Sequence, residues 1–277
     1  MMSLKTVSIL GCGWLGLPLA QTFIQQGFIV KGSTTRTERL EELRTSGVLA
    51  YHIQAEQGSW RGEAIEDFLQ CDTLIIAIPP GTRKNSNSAH AIEIKSLLHL
   101  IKERNIVIPR VLYISSTSVY KSGNQIVAEE DISDLSDAEN IILAEAEQII
   151  QANTSSNTLI LRLGGLTGYN RMLARFFAGK KDLAGGNEPV NLLHRDDAIG
   201  AIMHILLKDI KNEVFNVCSP VHPEKRLFYT DLCERFGMKS PDFPKELDGD
   251  WKLVSTEKIQ KTGYAFKFPD PHDYTYS

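Results

Sequence analysis

A glycine-rich turn near the amino terminus constrains the fold more than any other feature of the chain. The apolar run Thr6–Leu10 leads into Gly11-Cys12-Gly13-Trp14-Leu15-Gly16, and an apolar helical pattern follows. In such a strand–turn–helix unit, the first glycine allows a tight turn and the second lets the backbone approach a pyrophosphate. The third lets the helix pack close to the strand, with its N-terminus facing the phosphates. The sequence therefore predicts a dinucleotide site whose turn residues are Gly11, Gly13, Trp14, Leu15 and Gly16.

Short β-like runs alternate with helical patterns through the first two thirds of the chain. Several runs are continuously apolar, as expected for strands buried on both faces of a parallel sheet. Helical patterns lie between them at Leu15–Gln26, Arg39–Thr45, Ala89–Arg104 and Asp137–Gln151. We therefore predict an α/β protein with a Rossmann-type, doubly wound parallel sheet. The predicted strands are Thr6–Leu10, Phe28–Gly32, Val48–Ile53, Thr73–Ile78, Val111–Ser115 and Thr158–Leu163.

The last third of the chain has a different character. It carries helical patterns at Arg171–Gly179 and Asp197–Lys208 and one further strand pattern at Val214–Cys218. Neither an internal repeat nor a low-complexity linker separates it from the first part. We predict an NAD(P)-binding Rossmann domain at residues 1–165 and a smaller C-terminal substrate lobe at residues 166–277, interleaved with the last strand of the sheet.

The residues at the end of the second predicted strand indicate which cofactor binds. NAD sites usually place Asp or Glu there, where the carboxylate accepts hydrogen bonds from the ribose 2′-hydroxyl. The segment Val30–Arg36 contains no acidic residue but offers Ser33, Thr34 and Arg36. Hydroxyls and a guanidinium suit a 2′-phosphate, so NADP is the predicted cofactor and NAD the less favoured one. An Arg36 that is merely solvated at the start of a helix remains an alternative.

Several later segments carry a resemblance to a known family. They are Val111–Tyr120, Leu161–Gly165 followed by Gly168, Asn191–Ala198, Val214–Val217 and Lys261–Tyr264. In this order they resemble the extended short-chain dehydrogenases/reductases, the NAD-dependent epimerase/dehydratase family, over nearly the whole chain. The resemblance implies that Ser116 occupies the catalytic Ser/Thr position. The strand ends Ile78, Pro79 and Ser115 complete the predicted cofactor contacts.

The chain also departs from this family. Its members rely on a Y-x-x-x-K pair, in which the Tyr exchanges a proton with substrate and the Lys lowers the pKa of that Tyr. None of the eight tyrosines is followed by Lys four residues later, and the predicted helix Asp137–Gln151 contains neither residue type. The glycine turn differs too, since extended members usually carry G-x-x-G-x-x-G. Tyr120 and His194 are the nearest other candidates for a proton donor.

Composition and charge exclude several classes of protein. The net charge of −4 leaves no basic excess, so nucleic acid is not a predicted partner. The longest apolar stretches are too short to span a bilayer, and no signal-peptide pattern opens the chain, so we expect a cytoplasmic protein and no membrane association. The four cysteines form no C-x-x-C pair, and the histidines lack ligand spacing, so no metal site is predicted.

These observations favour an NADP-dependent oxidoreductase or epimerase/dehydratase that acts on a small hydroxyl-bearing substrate. The basic residues Arg171, Arg175, Lys180 and Lys181 would suit an anionic substrate, phosphorylated or nucleotide-linked, although a solvated helix face also explains them. The missing Tyr/Lys pair supports an alternative, a non-catalytic NADP(H)-binding sensor or scaffold. The start of the chain also resembles β-hydroxyacid and sugar-nucleotide dehydrogenases, but the later motifs disfavour that class. The oligomeric state is not predicted.

Overall fold

The strands of the central sheet follow runs of apolar and β-branched residues in the sequence. The computed structural model describes residues 5–56, 58–79 and 89–276. Its strands are β1 Thr6–Leu10, β2 Ile29–Thr34, β3 Leu49–His52, β4 Gln54–Glu56, β5 Ser59–Arg61, β6 Thr73–Ile76, β7 Arg110–Ser116, β8 Gln125–Val127, β9 Asn157–Leu163, β10 Gly165–Thr167, β11 Leu192–His194, β12 Glu213–Val217 and β13 Lys252–Val254.

Helices lie between successive strands of the central parallel sheet, because parallel neighbours need a crossover connection. The helices are α1 Gly16–Gln25, α2 Leu40–Thr45, α3 Ile65–Leu69, α4 Ala89–Glu103, α5 Ile141–Gln151, α6 Ala174–Phe177, α7 Arg195–Leu207, α8 Lys225–Arg235 and α9 Glu257–Lys261. None of the helices in the described ranges combines the length and the apolar composition that a bilayer crossing needs.

The central sheet has the order β12-β9-β7-β6-β1-β2-β3. Strand β1 pairs in parallel with both β2 and β6, and β2–β3 and β6–β7 are parallel as well. The chain runs outward from β1 through β2 to β3 and then returns to β6, so the winding direction reverses between β1 and β6. The predicted α/β class and doubly wound sheet are confirmed. In such sheets ligands bind at this reversal, beyond the carboxyl ends of the strands.

Local side-chain chemistry explains where the helices differ from the predicted ones. Helix α5 begins at Ile141 rather than Asp137, because the Asp137 carboxylate accepts hydrogen bonds from the backbone N–H groups of Ser133 and Asp134 and closes a preceding turn. Where a helix was predicted over Arg171–Gly179, the structure has the shorter helix α6. The hairpin β4–β5 was not predicted, because three-residue strands leave almost no periodic signal.

Contacts divide the chain into two compact units with interleaved segments. The first unit contains Met1–Ser115, Ile141–Leu161 and Asp209–Val214, and the second contains Ser116–Asn140, Arg162–Lys208 and Phe215–Ser277. The predicted boundary at residue 165 separates cofactor from substrate functions, and that functional division stays a prediction.

Each unit has its own apolar core. In the first, the strand residues Leu74 and Ile76 and the helix residue Ile94 are wholly buried. In the second, the rings of Phe177 and Tyr229 stack with centroids 3.8 Å apart, next to the buried Leu232. Burial of one such side chain contributes about 1.5–3 kcal/mol.

A buried histidine in the first unit should make stability depend on pH. The Nε2 atom of His90 lies 2.7 Å from the hydroxyl of Tyr113, and burial lowers the pKa of His90 from 6.5 to about 4. Below pH 6.5 the unfolded chain therefore binds a proton that the folded chain excludes. The free energy of unfolding should fall as the pH falls toward 4, by up to about 1.4 kcal/mol per pH unit from this group.

The variant His90→Gln, which does not titrate but still offers Tyr113 a partner, should lose less stability than the wild type between pH 7 and pH 5. Urea unfolding at the two pH values measures this. The other histidines with lowered pKa, His194, His204 and His222, affect both proteins equally. Identical pH slopes for the two proteins would contradict the assignment to His90.

Candidate cofactor site

The glycine turn between β1 and α1 has the geometry that the sequence predicts. Gly11 has a φ of +104°, and a Cβ atom there would lie 3.0 Å from the carbonyl oxygen of Ala77. A Cβ atom on Gly16 would lie 2.3 Å from the carbonyl oxygen of Gly11, so only glycine lets α1 approach the turn this closely. A Cβ atom on Gly13 would meet nothing within 4 Å. The space above Gly13 is therefore open to a ligand.

The end of β2 is tied to this turn by hydrogen bonds. The N–H of Gly11 donates to the Ser33 hydroxyl at 3.0 Å, and the N–H of Cys12 donates to the Ser33 carbonyl at 2.8 Å. The Thr34 hydroxyl accepts from the N–H of Arg36 at 3.1 Å. Both predicted hydroxyls thus accept backbone hydrogen bonds, whereas the guanidinium of Arg36 is exposed.

Arg39 is a second basic residue at this position, and it was not predicted from the sequence. Its Nη1 donates to the carbonyl of Cys12 at 3.1 Å, and its Nε donates to the Glu42 carboxylate at 2.9 Å. The hydrogen bond to Glu42 raises the pKa of Arg39. The spacing Arg36-Thr37-Glu38-Arg39, one helical turn after the strand, was the available signal. Its contact with Cys12 fixes this guanidinium beside the glycine turn.

A cleft of about 740 Å³ in the first unit is bounded by the glycine turn and the ends of β2, β3 and β6. Its lining includes most of the predicted cofactor residues: Gly11, Gly13, Trp14, Ser33, Thr34, Arg36, Ile78 and Pro79. It also includes residues that were not predicted, among them Cys12, Arg39, Ile53, Ala55 and Trp60.

Three predicted cofactor residues lie outside this lining. Leu15 and Gly16 are buried where α1 begins, and they act on the cleft only by setting the approach of the helix. The buried Ser115 donates its hydroxyl to the carboxylate of Glu147 on α5. Its side chain therefore joins β7 to α5 inside the first unit rather than lining the cleft.

A second cleft of the first unit has a similar volume, about 710 Å³. It lies at the amino ends of β7, β9 and β12, where Pro109, Thr158 and Glu213 line it. Ligands of doubly wound sheets bind at the carboxyl ends instead. The cleft at the glycine turn is therefore the candidate cofactor site.

Ser116, the predicted catalytic hydroxyl, lies in the second unit at the end of β7. Its Oγ accepts a hydrogen bond from the N–H of Ser118 at 3.1 Å and so caps the short helical turn Thr117–Val119. The side chain is half-buried. An oxygen that accepts one hydrogen bond keeps its proton available as a donor, so this contact is compatible with a substrate contact.

Tyr120 belongs to a buried polar network of the second unit. Its hydroxyl donates to Asn216 Oδ1 and accepts from Arg162 Nη1, both at 2.7 Å, and its exposed fraction is 1%. Burial raises the pKa of Tyr120 to about 12. Both hydrogen-bonding capacities of the hydroxyl are used, and its proton is held tightly. This environment argues against the predicted role of Tyr120 as a proton donor to substrate.

His194 is wholly buried at the start of α7. Its Nδ1 accepts the N–H of Asp196 at 3.2 Å, and its ring lies against Phe268 with centroids 4.2 Å apart. Burial lowers the pKa of His194, so the ring is neutral near pH 7. The Asp196 carboxylate instead accepts from the Tyr169 hydroxyl at 2.8 Å. His194 thus caps a helix, which disfavours its predicted role in proton transfer.

The four basic residues that suggested an anion site are all exposed side chains of the second unit. Lys180 places its Nζ 6.0 Å from the ring centre of Phe177. The anionic substrate stays a prediction. The set is Arg171, Arg175, Lys180 and Lys181.

Comparison with known sequences identifies a family. No protein-family model matches the chain. Protein YeeZ from Escherichia coli strain K12 is 32% identical over 276 residues, which cover 97% of this chain and 98% of that protein. This identity over almost the full length of both chains shows common membership of one family.

Comparison with solved structures supports the fold. MoeE5 in complex with UDP-glucuronic acid and NAD has a TM-score of 0.75 and 16% identity, with 95% of this chain and 94% of that chain covered. A short-chain dehydrogenase/reductase superfamily protein from Agrobacterium tumefaciens with bound NAD has a TM-score of 0.74 and 15% identity, over 95% and 93% of the two chains. A UDP-N-acetylglucosamine 4-epimerase from Bacillus cereus has a TM-score of 0.71 and 15% identity, over 95% and 94%. The predicted resemblance is confirmed at the level of the fold. The chain therefore belongs to the family of Protein YeeZ and has the fold of the extended short-chain dehydrogenases/reductases.

Proposed function

We propose that the cleft beside the glycine turn binds a nicotinamide dinucleotide and prefers NADP to NAD. The observation that carries this proposal is the pairing of an open Gly13 with two arginines, Arg36 and Arg39, around one cleft of about 740 Å³. The backbone N–H groups at the turn and the N-terminus of α1 suit the pyrophosphate. The arginines offer full charge and several donors to a 2′-phosphate.

The acidic residues that line the cleft do not reproduce an NAD site at the end of β2. Glu56 follows β3 instead, and its carboxylate lies 3.4 Å from Arg61 and accepts from Gln54 at 2.7 Å. Its carboxylate therefore bonds within the hairpin β4–β5. The side chains at the end of β2 are therefore basic and not acidic. This favours NADP over NAD, because NADP carries a 2′-phosphate.

The proposed reaction class is that of an oxidoreductase or epimerase/dehydratase with a small hydroxyl-bearing substrate. One structural neighbour, MoeE5, holds a nucleotide sugar together with NAD, which supports a nucleotide-linked or otherwise anionic substrate for this chain. Of the three predicted catalytic groups, Ser116 alone is half-exposed, so we assign the substrate hydrogen bond to its hydroxyl.

A second candidate function is a non-catalytic NADP(H)-binding sensor or scaffold. Helix α5 has neither Tyr nor Lys, and the hydroxyl of Tyr120 and the ring of His194 are occupied by structural contacts. A serine hydroxyl without a base is a poor acid near neutral pH, and general acid–base help is typically worth about 10²–10⁴-fold in rate. Oxidation of bound NADPH in the presence of a metabolite mixture would favour the enzyme, and its absence would favour the sensor.

The cofactor proposal is tested by calorimetry with NADPH and NADH. We expect NADPH to bind more tightly. A charge-assisted contact is worth about 1.5–3 kcal/mol, so each of Arg36→Ala and Arg39→Ala should weaken NADPH binding about ten- to a hundredfold. Binding of NADH should change little, because NADH lacks the 2′-phosphate.

Arg44→Ala is the matched control, because Arg44 is an exposed arginine that, among the described residues, pairs with Glu41 on the same helix. It should leave both affinities unchanged. Equal affinities of the wild type for NADH and NADPH would show that the proposed NADP preference is wrong, and failure to bind either dinucleotide would reject the site.

A further inference from the structure

The hairpin β4–β5 forms one wall of the cofactor cleft. The role of the glycine turn in binding the pyrophosphate does not account for this wall. Trp60 on β5 faces Ala55 across the hairpin and lines the cleft. The indole Nε1 donates to the carbonyl of Glu93 on α4 at 2.9 Å, and the ring packs against the apolar core of the first unit. Because its N–H group is already bonded, Trp60 can offer the cleft only the apolar surface of its ring.

The hairpin begins beside the arginines that we assign to the 2′-phosphate. Strand β3 pairs with β2, and the N–H of Ile53, just before the hairpin, donates to the carbonyl of Thr34 at 3.1 Å. Arg36 follows Thr34 by two residues. The end of β2 and the start of the hairpin are therefore adjacent in the first unit.

The covalent structure of the cofactor then determines which part of it reaches the hairpin. The 2′-phosphate and the adenine are attached to the same ribose, and in this fold that ribose lies at the end of the second strand. A 2′-phosphate held by Arg36 and Arg39 places the adenine, which is attached to the neighbouring carbon of the same ribose, next to the residues that follow β3. The nicotinamide is attached beyond the pyrophosphate and does not share this ribose.

We propose that Trp60 is a cofactor-binding residue that packs against the adenine of the dinucleotide. The inference rests on the proposed cofactor site and adds the group that contacts the base. Every base has a flat aromatic face that gains dispersion and desolvation energy against an indole. The apolar side chains of Ile53, Ala55 and Ile78 line the same cleft. The bond to Glu93 holds the ring in place before the ligand arrives, which lowers the ordering cost of binding.

The test measures binding of three probes by calorimetry: NADPH, 2′,5′-ADP and reduced nicotinamide mononucleotide. The first two contain adenine and the third does not. Trp60→Ala should raise the Kd of NADPH and of 2′,5′-ADP by the same factor, about five- to a hundredfold for the loss of one base–aromatic contact. The Kd of the mononucleotide should not change.

Two further variants separate adenine packing from support of the fold. Trp60→Phe keeps a flat ring but loses the bond to Glu93, and it should recover most of the affinity for 2′,5′-ADP. Trp60→Leu keeps apolar volume without a flat ring and should recover less. Trp251→Ala removes a half-buried indole of the second unit and should leave all three Kd values unchanged.

The role of Trp60 would be overturned if the variant Trp60→Ala bound 2′,5′-ADP as tightly as the wild type does. The cofactor site would still stand if the wild type bound NADPH. A lowered Tm with unchanged affinity would assign Trp60 to core packing alone and reject the inference. An equal loss for the mononucleotide and 2′,5′-ADP would also reject it, because the effect would not be specific to adenine. If the wild type binds no dinucleotide, the proposed function itself fails.

Discussion

Arg162→Ala should lower the free energy of unfolding by about 3–5 kcal/mol, because it leaves buried acceptors without their charged donor. Arg162 lies on β9 with an exposed fraction of 2%. Its Nη1 donates to the Tyr120 hydroxyl at 2.7 Å and to the carbonyl of Glu129 at 3.0 Å. Its guanidinium carbon lies 5.1 Å from the centre of the Tyr120 ring. Urea unfolding followed by intrinsic fluorescence measures the loss.

Two control variants make this result specific. Tyr120→Phe keeps the ring but removes the hydroxyl, and should cost about 0.5–3 kcal/mol because Asn216 Oδ1 loses its donor and Arg162 loses one of its acceptors. Arg104→Ala removes an exposed arginine with a surface partner, Glu66, and should stay within about 0.5 kcal/mol of the wild type. A loss below about 1 kcal/mol for Arg162→Ala would show that the network is not structural, and the assignment of Tyr120 to it would fail.

The second and third glycines of the turn should differ in how one added methyl group affects stability. Gly16→Ala places a Cβ atom 2.3 Å from the carbonyl oxygen of Gly11. This is a main-chain atom, so it can move only if the turn is distorted. Overpacking of this kind costs about 1–3 kcal/mol of stability, and the distorted turn should bind NADPH poorly as well. Gly13→Ala meets no atom within 4 Å, so its stability should be that of the wild type.

Gly13→Ala should nevertheless weaken NADPH binding about tenfold or more, because the methyl group displaces the pyrophosphate from backbone donors worth about 1.5–3 kcal/mol each. Thermal unfolding and calorimetry on the same samples separate the two effects. Gly249→Ala is the control, since a Cβ atom there also meets nothing within 4 Å and the residue lies in the second unit. If Gly13→Ala bound NADPH with unchanged affinity, the pyrophosphate of the ligand would not lie against the turn.

The amino-acid sequence determined the parts of this protein that depend on residues close together in the chain. The strand Thr6–Leu10, the glycine turn and the following helix form one local unit, and the alternation of apolar runs with helical patterns specifies the doubly wound sheet. The sequence also shows that Val30–Arg36 contains no acidic residue and that the segment of helix α5 contains neither Tyr nor Lys. Hydrophobic periodicity and turn-forming residues predict these features, because each feature depends on residues that are close together in the chain.

Only the tertiary structure decided what each polar side chain does. Tyr120 was a candidate proton donor until the fold brought it to Asn216, 96 residues away, and to Arg162. The Ser33 hydroxyl, which lines the cleft, also accepts a hydrogen bond from the N–H of Gly11.

The same holds for two residues that the sequence analysis passed over. Arg39 lies in the cleft because its guanidinium reaches Cys12, and Trp60 lies there because its indole bonds to Glu93. A polar group takes the partners that the fold places within about 3 Å, and a buried group must be satisfied by them. Those partners are remote in the chain, so residue type and spacing could suggest candidates for the site but could not choose among them.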